Sequence, residues 1–360
     1  MNALLKLFAY LLALVVIMVA AAGGVAYHWA TDKLALQTPY VDVLVPAGSN
    51  AGAIARIINQ SGIDLEPLAF SWLARLSRLD KKIKAGGYQL KQGDTPWSVL
   101  QRMAQGDVSS RQVALIEGWT LKQIFAVLDA QPDLVHLLKS KDVDQIIQAT
   151  GIQRPYAEGL FFPDTYTYFA GTSDAELLVR AYKTQQIILE KAWQAKDPNL
   201  PYQNSYEALI LASIVEKETA KEADRPRVAA VYINRLRIGM KLDADPTVIY
   251  GVTGGLPLGR GIRASELAAD TPYNTYVHAG LPPTAIANPG RASIAAVLDP
   301  PQTNELYFVA DGTGGAAFAA TLAEHEKNVA RWREIERQKA GPSLRPSQDV
   351  SARHLAGKKR

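Results

Sequence analysis

Two glutamates close an apolar stretch of the sequence, LASIVEKETA at residues 211–220. On a helix with about 3.6 residues per turn, Glu218 lies one turn after Ile214 on the more apolar side, whereas Glu216 points nearly opposite. Burial disfavours a charged carboxylate and raises its pKa, which suits a general acid near neutral pH. The spacing therefore makes Glu218 a candidate acid/base residue. The alternative from spacing alone is that both glutamates mark the solvated end of a helix.

Other common catalytic and metal-binding patterns are missing from the sequence. Its five histidines form no HExxH pair, it has no cysteine, and it contains neither a GxSxG nor an SxxK motif. The glycine-rich segment at 312–315 lacks the Lys-Ser/Thr of a phosphate-binding loop. We therefore expect no metal ion and no cofactor, which leaves carboxylate chemistry. The Tyr-, Asn-, Thr- and Pro-rich segments of the second half suit a sugar polymer, whose rings stack on aromatic side chains.

The charge distribution argues against nucleic-acid binding. The 360 residues carry a net charge of +4, with 48% apolar and 21% charged residues, which is typical of a globular protein. Residues 331–360 contain nine Lys/Arg and three Asp/Glu, so the rest of the chain has 30 basic and 32 acidic residues. A nucleic-acid-binding fold is normally basic throughout. We expect no nucleic-acid partner, and we predict a disordered basic tail at residues 339–360.

The first thirty residues indicate where the protein resides. Leu7 to Tyr27 is a run of 21 uncharged residues, long enough to cross a bilayer as a helix. A cleaved signal peptide is the alternative, because Ala20 to Ala22 offer small residues for cleavage, but the run is longer than a signal core. With Lys6 on the cytoplasmic side, the chain after Asp32 would lie outside the cytoplasm. Residues 1–30 are therefore predicted to be a cytoplasmic N-terminus and a transmembrane anchor.

A pattern occurs three times after the anchor, at 45–58, 90–103 and 116–128. Each copy has a short apolar lead, a glycine, an N-cap residue two positions later, and apolar residues six and ten positions after the glycine. This predicts a strand, a tight glycine turn and a capped short helix. The arrangement resembles LysM carbohydrate-binding modules, most closely in the second copy, although it could be only a packing unit.

The second half of the sequence alternates helical segments with loops. Helices are predicted at 173–193, 204–220, 224–239 and 321–337. Residues 305–310 are predicted to form a strand, and 240–290 are predicted to be loop-rich because they contain six prolines. The fold class is therefore predicted as α+β.

Several segments of the second half are long enough to compare with known families. They are EGLFFPDTY at 158–166, IVEKETA at 214–220, VYINRLRIGMKLDADPTVIYG at 231–251, TPYNTYVHAGLPPTAIANPG at 271–290, LYFVADGTGG at 306–315 and TLAEHEKNV at 321–329. Together they resemble the membrane-anchored endolytic murein transglycosylases (YceG/MltG-like). The resemblance covers residues 40 to 335, and the layout of the family includes the anchor.

The resemblance implies a lyase that cleaves peptidoglycan strands internally, between MurNAc and GlcNAc, and leaves 1,6-anhydro-MurNAc ends. It implies that Glu218, the second carboxylate of VEKET, is the catalytic residue. The protonated Glu218 would donate to the glycosidic oxygen and then accept the proton of the C6 hydroxyl that attacks C1. One carboxyl group serves both steps, so the paired carboxylates of a hydrolase are not required. Glu216 is then expected to be structural.

The same resemblance implies a single-pass protein of the bacterial inner membrane with its catalytic part in the periplasm. Its substrate would be peptidoglycan glycan strands, its partners would be membrane-bound peptidoglycan synthases, and cleavage would terminate the elongation of nascent strands. Two domains are predicted after the anchor: a LysM-like peptidoglycan-binding module at 38–130, and a mixed α+β lytic transglycosylase domain at 131–338.

Six further residues within the matching motifs are candidates for substrate binding: Glu158, Asp245, Tyr250, Tyr273, Asn274 and Tyr276. For each of them, a buried hydrogen-bonding role in the core is an equally good interpretation. Asn234 and Arg235 are expected to be structural. Two positions depart from the family, with Ala316 where histidine is usual and Thr284 where glycine is usual. If that histidine contacts substrate, binding differs in this chain.

Two other functions remain open from the sequence. A non-catalytic, membrane-tethered peptidoglycan-binding protein would use the same fold, and replacing Glu218 would then leave strand binding unchanged. A hydrolytic muramidase would use Asp245 or Glu158 to position a water, and it would leave reducing ends in place of anhydro ends.

Overall fold

The computed structural model describes residues 2–138, 143–219 and 221–340, which form two compact units. The first unit contains the chain up to Val113, with Gln131–Val135 and Thr167–Ser173. The second contains Ala114–Ala130, His136–Tyr166 and the chain from Asp174 onward. The predicted basic tail lies outside the described residues, apart from residues 339 and 340, which belong to the last helix.

The chain begins with helix α1, Asn2–Thr31. Among the described residues, it is the one helix long and apolar enough to cross a membrane, over Lys6–Thr31, and the apolar window of that span is not buried. Its last turn joins the first unit, because Trp29 packs against the core of that unit and Ala30 is buried. The helix therefore suggests a single-pass membrane anchor.

The first unit continues with two strands separated by two helices. Its elements are β1 (Tyr40–Val45), α2 (Ala51–Gln60), α3 (Pro67–Leu76), β2 (Gly86–Lys91), α4 (Pro96–Gln105) and β3 (Ser110–Ala114). Strands β1 and β2 pair antiparallel, from Tyr40 opposite Lys91 to Val45 opposite Gly86. The unit has its own hydrophobic core, whose fully buried members include Ile54, Phe70, Leu90 and Met103.

The glycine turn and the capped helix of the repeated pattern are present in all three copies, whereas the predicted strand is absent from the third copy, because β3 ends at Ala114, before residue 116. The glycines adopt φ angles of 79°, 97° and 76°, which residues with a Cβ rarely adopt, at Gly48, Gly93 and Gly118. The N-cap side chains accept a hydrogen bond from the backbone N–H three residues later, at Asn50, Thr95 and Thr120. The predicted apolar positions are buried, at Ile54, Ile58, Val99, Met103, Ile124 and Leu128. The first two copies lie in the first unit and the third in the second unit.

The second unit is mainly helical. Its helices are α5 (Leu121–Asp129), α6 (Val143–Thr150), α7 (Asp174–Gln194), α8 (Ser205–Glu218), α9 (Arg225–Arg237), α10 (Asp245–Thr253), α11 (Ala264–Leu267), α12 (Arg291–Leu298) and α13 (Leu322–Ala340). Strand β4 (Thr165–Phe169) belongs mainly to the first unit and pairs there with β3. The strands of the second unit, β5 (Tyr307–Ala310) and β6 (Ala316–Ala319), pair with each other. The predicted mixture of helix and sheet is confirmed.

Helix α8 lies at the centre of the second unit. It contacts α7, α9, α10 and α12. All residues from Ala208 to Val215 are buried, so the helix is apolar on every side, as expected for a helix enclosed by others. The end of α8 is therefore held firmly by the surrounding helices.

The segment 240–290 is loop-rich, as its prolines predicted, but it also contains two helices that the sequence analysis did not predict, α10 and the short α11. Helix α10 runs for nine residues. Its proline, Pro246, lies in the first turn, where the missing N–H would have no helical partner and the fixed φ is already helical. Gly254, with a φ of 65°, ends the helix. A proline that suggested a loop therefore begins a helix.

Candidate active site

Helix α8 carries both glutamates of the VEKET motif, and local signals fix its ends. The side-chain oxygen of Asn204 accepts hydrogen bonds from the backbone N–H groups of Tyr206 and Glu207, which caps the start of the helix. The last helical residue is Glu218, and Thr219 follows in an extended conformation. Glu218 therefore projects from the end of a helix whose preceding turns are buried.

Glu216 has a structural environment. Its Oε1 accepts a hydrogen bond from the guanidinium of Arg225 at 3.1 Å, and its Oε2 accepts one from the backbone N–H of Gly290 at 3.0 Å. These contacts join the end of α8 to the starts of α9 and α12. A Cβ at Gly290 would lie 1.8 Å from the carboxyl group of Glu117, so the Glu117 side chain would have to move. Both oxygens of Glu216 are therefore occupied by the fold.

A cavity of about 630 Å³ lies beside the end of α8. Residues of α8, α9, α10, α13 and the β5–β6 hairpin line it. Its polar side chains are Glu218, Thr219, Tyr232, Arg235, Asp243, Asp245, Tyr276, His325, Glu326 and Arg333. Its volume is typical of ligand pockets, which span roughly 300 to 1,000 Å³.

Glu218 combines burial with an unoccupied oxygen. Burial first, and the negative charge of Asp245 second, raise the pKa of its carboxyl group to about 8. The Tyr232 hydroxyl and the Arg235 guanidinium oppose this increase without cancelling it. Among the residues that the structure describes, none hydrogen-bonds to the buried Oε2 of Glu218. At neutral pH this carboxyl group is therefore mostly protonated and has an atom free to meet a ligand.

Two of the six substrate-binding candidates lie in the same cavity. The hydroxyl of Tyr276 donates a hydrogen bond to Oδ1 of Asp245 at 2.6 Å. Burial, followed by the charge of Asp245, raises the pKa of Tyr276, so this hydroxyl keeps its proton. Asp245 is thus a hydrogen-bonded carboxylate that acts on Glu218 through space.

Two residues of α9 were not predicted to belong to the site. Tyr232 is 1% exposed and Arg235 is 5% exposed, and both line the cavity. Arg235 donates hydrogen bonds to the carbonyl oxygens of Leu306 at 2.7 Å and Leu242 at 2.8 Å, which agrees with the structural role expected for it. Its charge also lowers the pKa of Glu218, so it has a second effect on the site. Their three-residue spacing, which places them on one helix face, is the available sequence signal.

His325 of α13 is a further cavity residue that the sequence did not single out. Its ring stacks on Tyr307, with centroids 5.3 Å apart. Burial, followed by the charge of Arg235, lowers the pKa of His325, so the ring is neutral at pH 7. Ala316 lines the same cavity.

The other carboxylate candidate, Glu158, lies in a separate cluster. Its Oε1 accepts hydrogen bonds from the N–H of Leu121 at 2.9 Å and from the side-chain amide of Asn288 at 3.2 Å. Its Oε2 accepts one from the hydroxyl of Tyr250 at 3.2 Å. Burial raises the pKa of Glu158 to about 7, and the hydrogen bonds from Leu121 and Tyr250 oppose the increase. Neither Glu158 nor Tyr250 is among the described residues that line the cavity.

The last two candidates, Tyr273 and Asn274, are also outside the described lining of the cavity. Tyr273 packs against Tyr250, with ring centroids 4.7 Å apart, and shares a hydrogen bond of 2.9 Å with Thr284. Thr284, the second departure from the family, is therefore accommodated by a tyrosine hydroxyl. Asn274 is fully buried and donates to the carbonyls of Leu267 and Ala269, which favours the core interpretation for this residue.

Comparisons with known proteins agree with this arrangement. Residues 43–331 match the YceG-like family. A Bacillus subtilis protein named endolytic murein transglycosylase is 30% identical over 306 residues, which cover 80% of this chain and 83% of that protein. A protein of the same name from Streptococcus pneumoniae is 29% identical over 360 residues, and the match covers 87% of this chain and 63% of the pneumococcal protein.

A solved structure is similar as well. The crystal structure of a YceG-like protein from Listeria monocytogenes aligns with a TM-score of 0.50 and 29% identity. The alignment covers 80% of this chain and 98% of the Listeria chain. The family match begins within β1, ends at residue 331 and includes Glu218. This chain therefore belongs to the YceG-like family.

Proposed function

We propose that this protein is an endolytic peptidoglycan lytic transglycosylase with Glu218 as its acid/base residue. The observation that carries the proposal is a mostly protonated carboxyl group facing a ligand-sized cavity, with one oxygen that meets no described partner. The names of the bacillary and pneumococcal relatives support the same activity. The substrate is a glycan strand cleaved internally between MurNAc and GlcNAc.

In the first step, Glu218 donates its proton to the glycosidic oxygen. The bond between C1 of MurNAc and that oxygen breaks, and the GlcNAc residue leaves with a free 4-hydroxyl group. Positive charge develops at C1, as in other glycosidic cleavages. A pKa of about 8 keeps the donor protonated at pH 7, whereas an ordinary glutamate would already be ionised.

In the second step, the ionised Glu218 accepts the proton of the C6 hydroxyl of the same MurNAc residue. The C6 oxygen forms a bond to C1 and produces the 1,6-anhydro ring. No water is consumed, and Glu218 regains the proton that it donated. One carboxyl group therefore completes the cycle without a catalytic partner.

The neighbouring groups have distinct tasks in this mechanism. The negative charge of Asp245 helps Glu218 to hold its proton before the reaction and stabilises the positive charge at C1 during it. Tyr276 fixes the orientation of Asp245 through its hydrogen bond. Arg235 limits the rise in the pKa of Glu218, so that the proton can still leave.

We also propose where the enzyme works. Helix α1 would hold it in the bacterial inner membrane, with both units in the periplasm close to newly made strands. The β1–α2–α3–β2 arrangement would serve as a LysM-like module that holds a glycan strand. Membrane-bound peptidoglycan synthases would be partners, and cleavage would terminate the elongation of nascent strands. The two-helix, two-strand order and the exposed apolar α1 support these assignments.

The test is digestion of purified glycan strands by the full chain in detergent, with products identified by mass spectrometry. We expect fragments with anhydro ends, which are one water lighter than reducing ends. Glu218→Gln should reduce their rate of formation by about 10²- to 10⁴-fold, and Glu190→Gln, at an exposed glutamate of α7, should leave it unchanged. Reducing ends alone would indicate a hydrolase. If wild type and Glu218→Gln form the same amount of product, another residue is the catalyst. If the protein binds strands but does not cleave them, it is a non-catalytic, membrane-tethered peptidoglycan-binding protein.

A further inference from the structure

Helix α3 of the first unit exposes a continuous apolar stripe. Leu68, Trp72 and Leu76 lie four residues apart on one face and are 72%, 58% and 78% exposed. The opposite face carries Phe70 and Ala74, which are fully buried in the core of the unit. The buried face explains why α3 folds onto the unit. The exposed stripe is left without a partner among the described residues.

Basic side chains are concentrated at the C-terminal end of this stripe. Residues 66–84 contain five Lys/Arg and two Asp/Glu. Four of the basic residues follow the stripe closely and are exposed: Arg75, Arg78, Lys81 and Lys82. The guanidinium of Arg75 lies 5.8 Å from the ring centroid of Trp72. Apolar residues that include a tryptophan, together with Lys and Arg, are typical of helices that lie in the headgroup region of a membrane.

The core of the first unit also packs against the end of the candidate membrane span. Trp29 and Leu34, at the end of α1 and just after it, pack into the core that holds α3. Helices α1 and α3 both contact α4. At about 1.5 Å per residue, the 26 residues of Lys6–Thr31 extend about 39 Å, which exceeds the roughly 30 Å of hydrocarbon in a bilayer. The end of α1 that carries the unit therefore lies at the lipid headgroups.

We propose that α3 is a second membrane contact, which lies on the surface of an anionic bilayer with Leu68, Trp72 and Leu76 among the headgroups. Arg75, Arg78, Lys81 and Lys82 supply the charge complementarity to anionic lipid. This contact fixes the orientation of the first unit relative to the membrane, which a single helix cannot do. The proposal is independent of the lytic activity.

The absence of cysteine permits a direct test in the full chain. A Leu76→Cys variant is labelled with an environment-sensitive fluorophore and reconstituted in vesicles of phosphatidylglycerol and phosphatidylethanolamine. The matched control is Ile187→Cys, a similarly exposed position of α7 at 68% exposure. Lipids that carry a nitroxide quencher at the headgroup or upper acyl chain should quench the label at 76 and leave the label at 187 unquenched.

Charge supplies a second measurement. Replacing Lys81 and Lys82 by Gln should weaken the lipid contact of the label about fivefold per lysine, from about 1 kcal/mol for each basic residue at an anionic surface. Vesicles of phosphatidylcholine alone should weaken it in the same way. Equal quenching at 76 and 187 overturns the proposal. Two further results would overturn the proposal if lipid quenching is absent. Protection of the label by added glycan strands would indicate a sugar-binding face, and protection at higher protein concentration would indicate contact with a second copy.

Discussion

Glu158 and Glu218 belong to the same unit, and burial is the main cause of a raised pKa in both, to about 7 and about 8. Their hydrogen bonding differs. Both oxygens of Glu158 accept hydrogen bonds, from Leu121, Asn288 and Tyr250. Oε2 of Glu218 meets no partner among the described residues, and its side chain faces the cavity.

The difference shows that a raised pKa alone does not identify a catalytic carboxyl group. A buried carboxyl group whose oxygens are all occupied holds chain segments together, as Glu158 does for residues far apart in sequence. A buried carboxyl group with a free oxygen and space beside it can exchange a proton with a ligand. The contrast leads to four predictions, given in order of decreasing effect.

The largest effect should follow from Glu218→Gln. Loss of a general acid/base lowers a rate by about 10²- to 10⁴-fold, so the formation of anhydro ends should fall by that factor. The fold should persist, because glutamine removes only a charge that burial disfavours. Glu158→Gln is the matched variant, since its amide oxygen still accepts from Leu121, and it should keep most of the rate. The measurement is the rate of product formation by each variant. Equal losses of rate in Glu218→Gln and Glu158→Gln would contradict the assignment of a catalytic role to Glu218 and a structural role to Glu158.

The next effect is on stability. Glu158→Ala should lower the free energy of unfolding by about 3 kcal/mol, because three donors lose their acceptor in a buried site. Denaturant unfolding followed by circular dichroism measures this change. Glu190→Ala, at an exposed position, should change it by less than about 0.5 kcal/mol. Similar stability of the two variants would mean that Glu158 has no structural role.

A smaller effect concerns pH. Activity needs protonated Glu218, so the rate should fall as pH rises through about 8. The charge of Asp245 raises that pKa, so Asp245→Asn should lower it and move the fall in rate toward lower pH. A profile of rate against pH shows the pH at which the rate falls separately from any decrease in the maximum rate. Asp64→Asn, on the surface of the first unit, should leave the profile unchanged. An unmoved profile in Asp245→Asn would remove Asp245 from this role.

The smallest effect should come from Tyr250→Phe. The variant removes one of the hydrogen bonds to Glu158 and should lower the free energy of unfolding by about 1 kcal/mol. It should leave the pH profile of the rate in place, because Tyr250 does not line the cavity. Tyr40→Phe, at a side chain 55% exposed, is the control for loss of a hydroxyl group. A displaced pH profile in Tyr250→Phe would mean that the hydrogen-bonded cluster around Glu158 influences the pKa of Glu218.

Much of the local structure followed from the sequence, because local signals determine it. The N-caps Asn50, Thr95, Thr120 and Asn204 are where the pattern predicted them. Helical spacing also gave the direction of Glu218, since α8 is regular up to its last residue. The proline pattern predicted the loop-rich segment but did not reveal α10, because the same residue type serves both loops and first turns of helices.

The surroundings of the site could not be predicted in the same way, because they are formed by distant segments. Glu158 meets Asn288, which is 130 residues later in the chain. Arg235 and His325 reach the cavity from α9 and α13. The sequence also offered Glu158, Tyr250 and Asp245 as equivalent candidates, and only their different neighbours separate them. Spacing within one helix shows which face a residue occupies, but not what another helix brings to that face.

The position of Glu218 as the last residue of α8 has an electrostatic consequence. The carbonyl groups at the end of a helix carry partial negative charge, since the peptide dipoles along the helix are aligned. That field opposes an anion at this place. In the proposed cycle it delays release of the proton to the leaving sugar, and it then strengthens the ionised Glu218 as a base toward the C6 hydroxyl. The same dipole therefore favours the neutral carboxyl group at the beginning of each turnover and its restoration at the end.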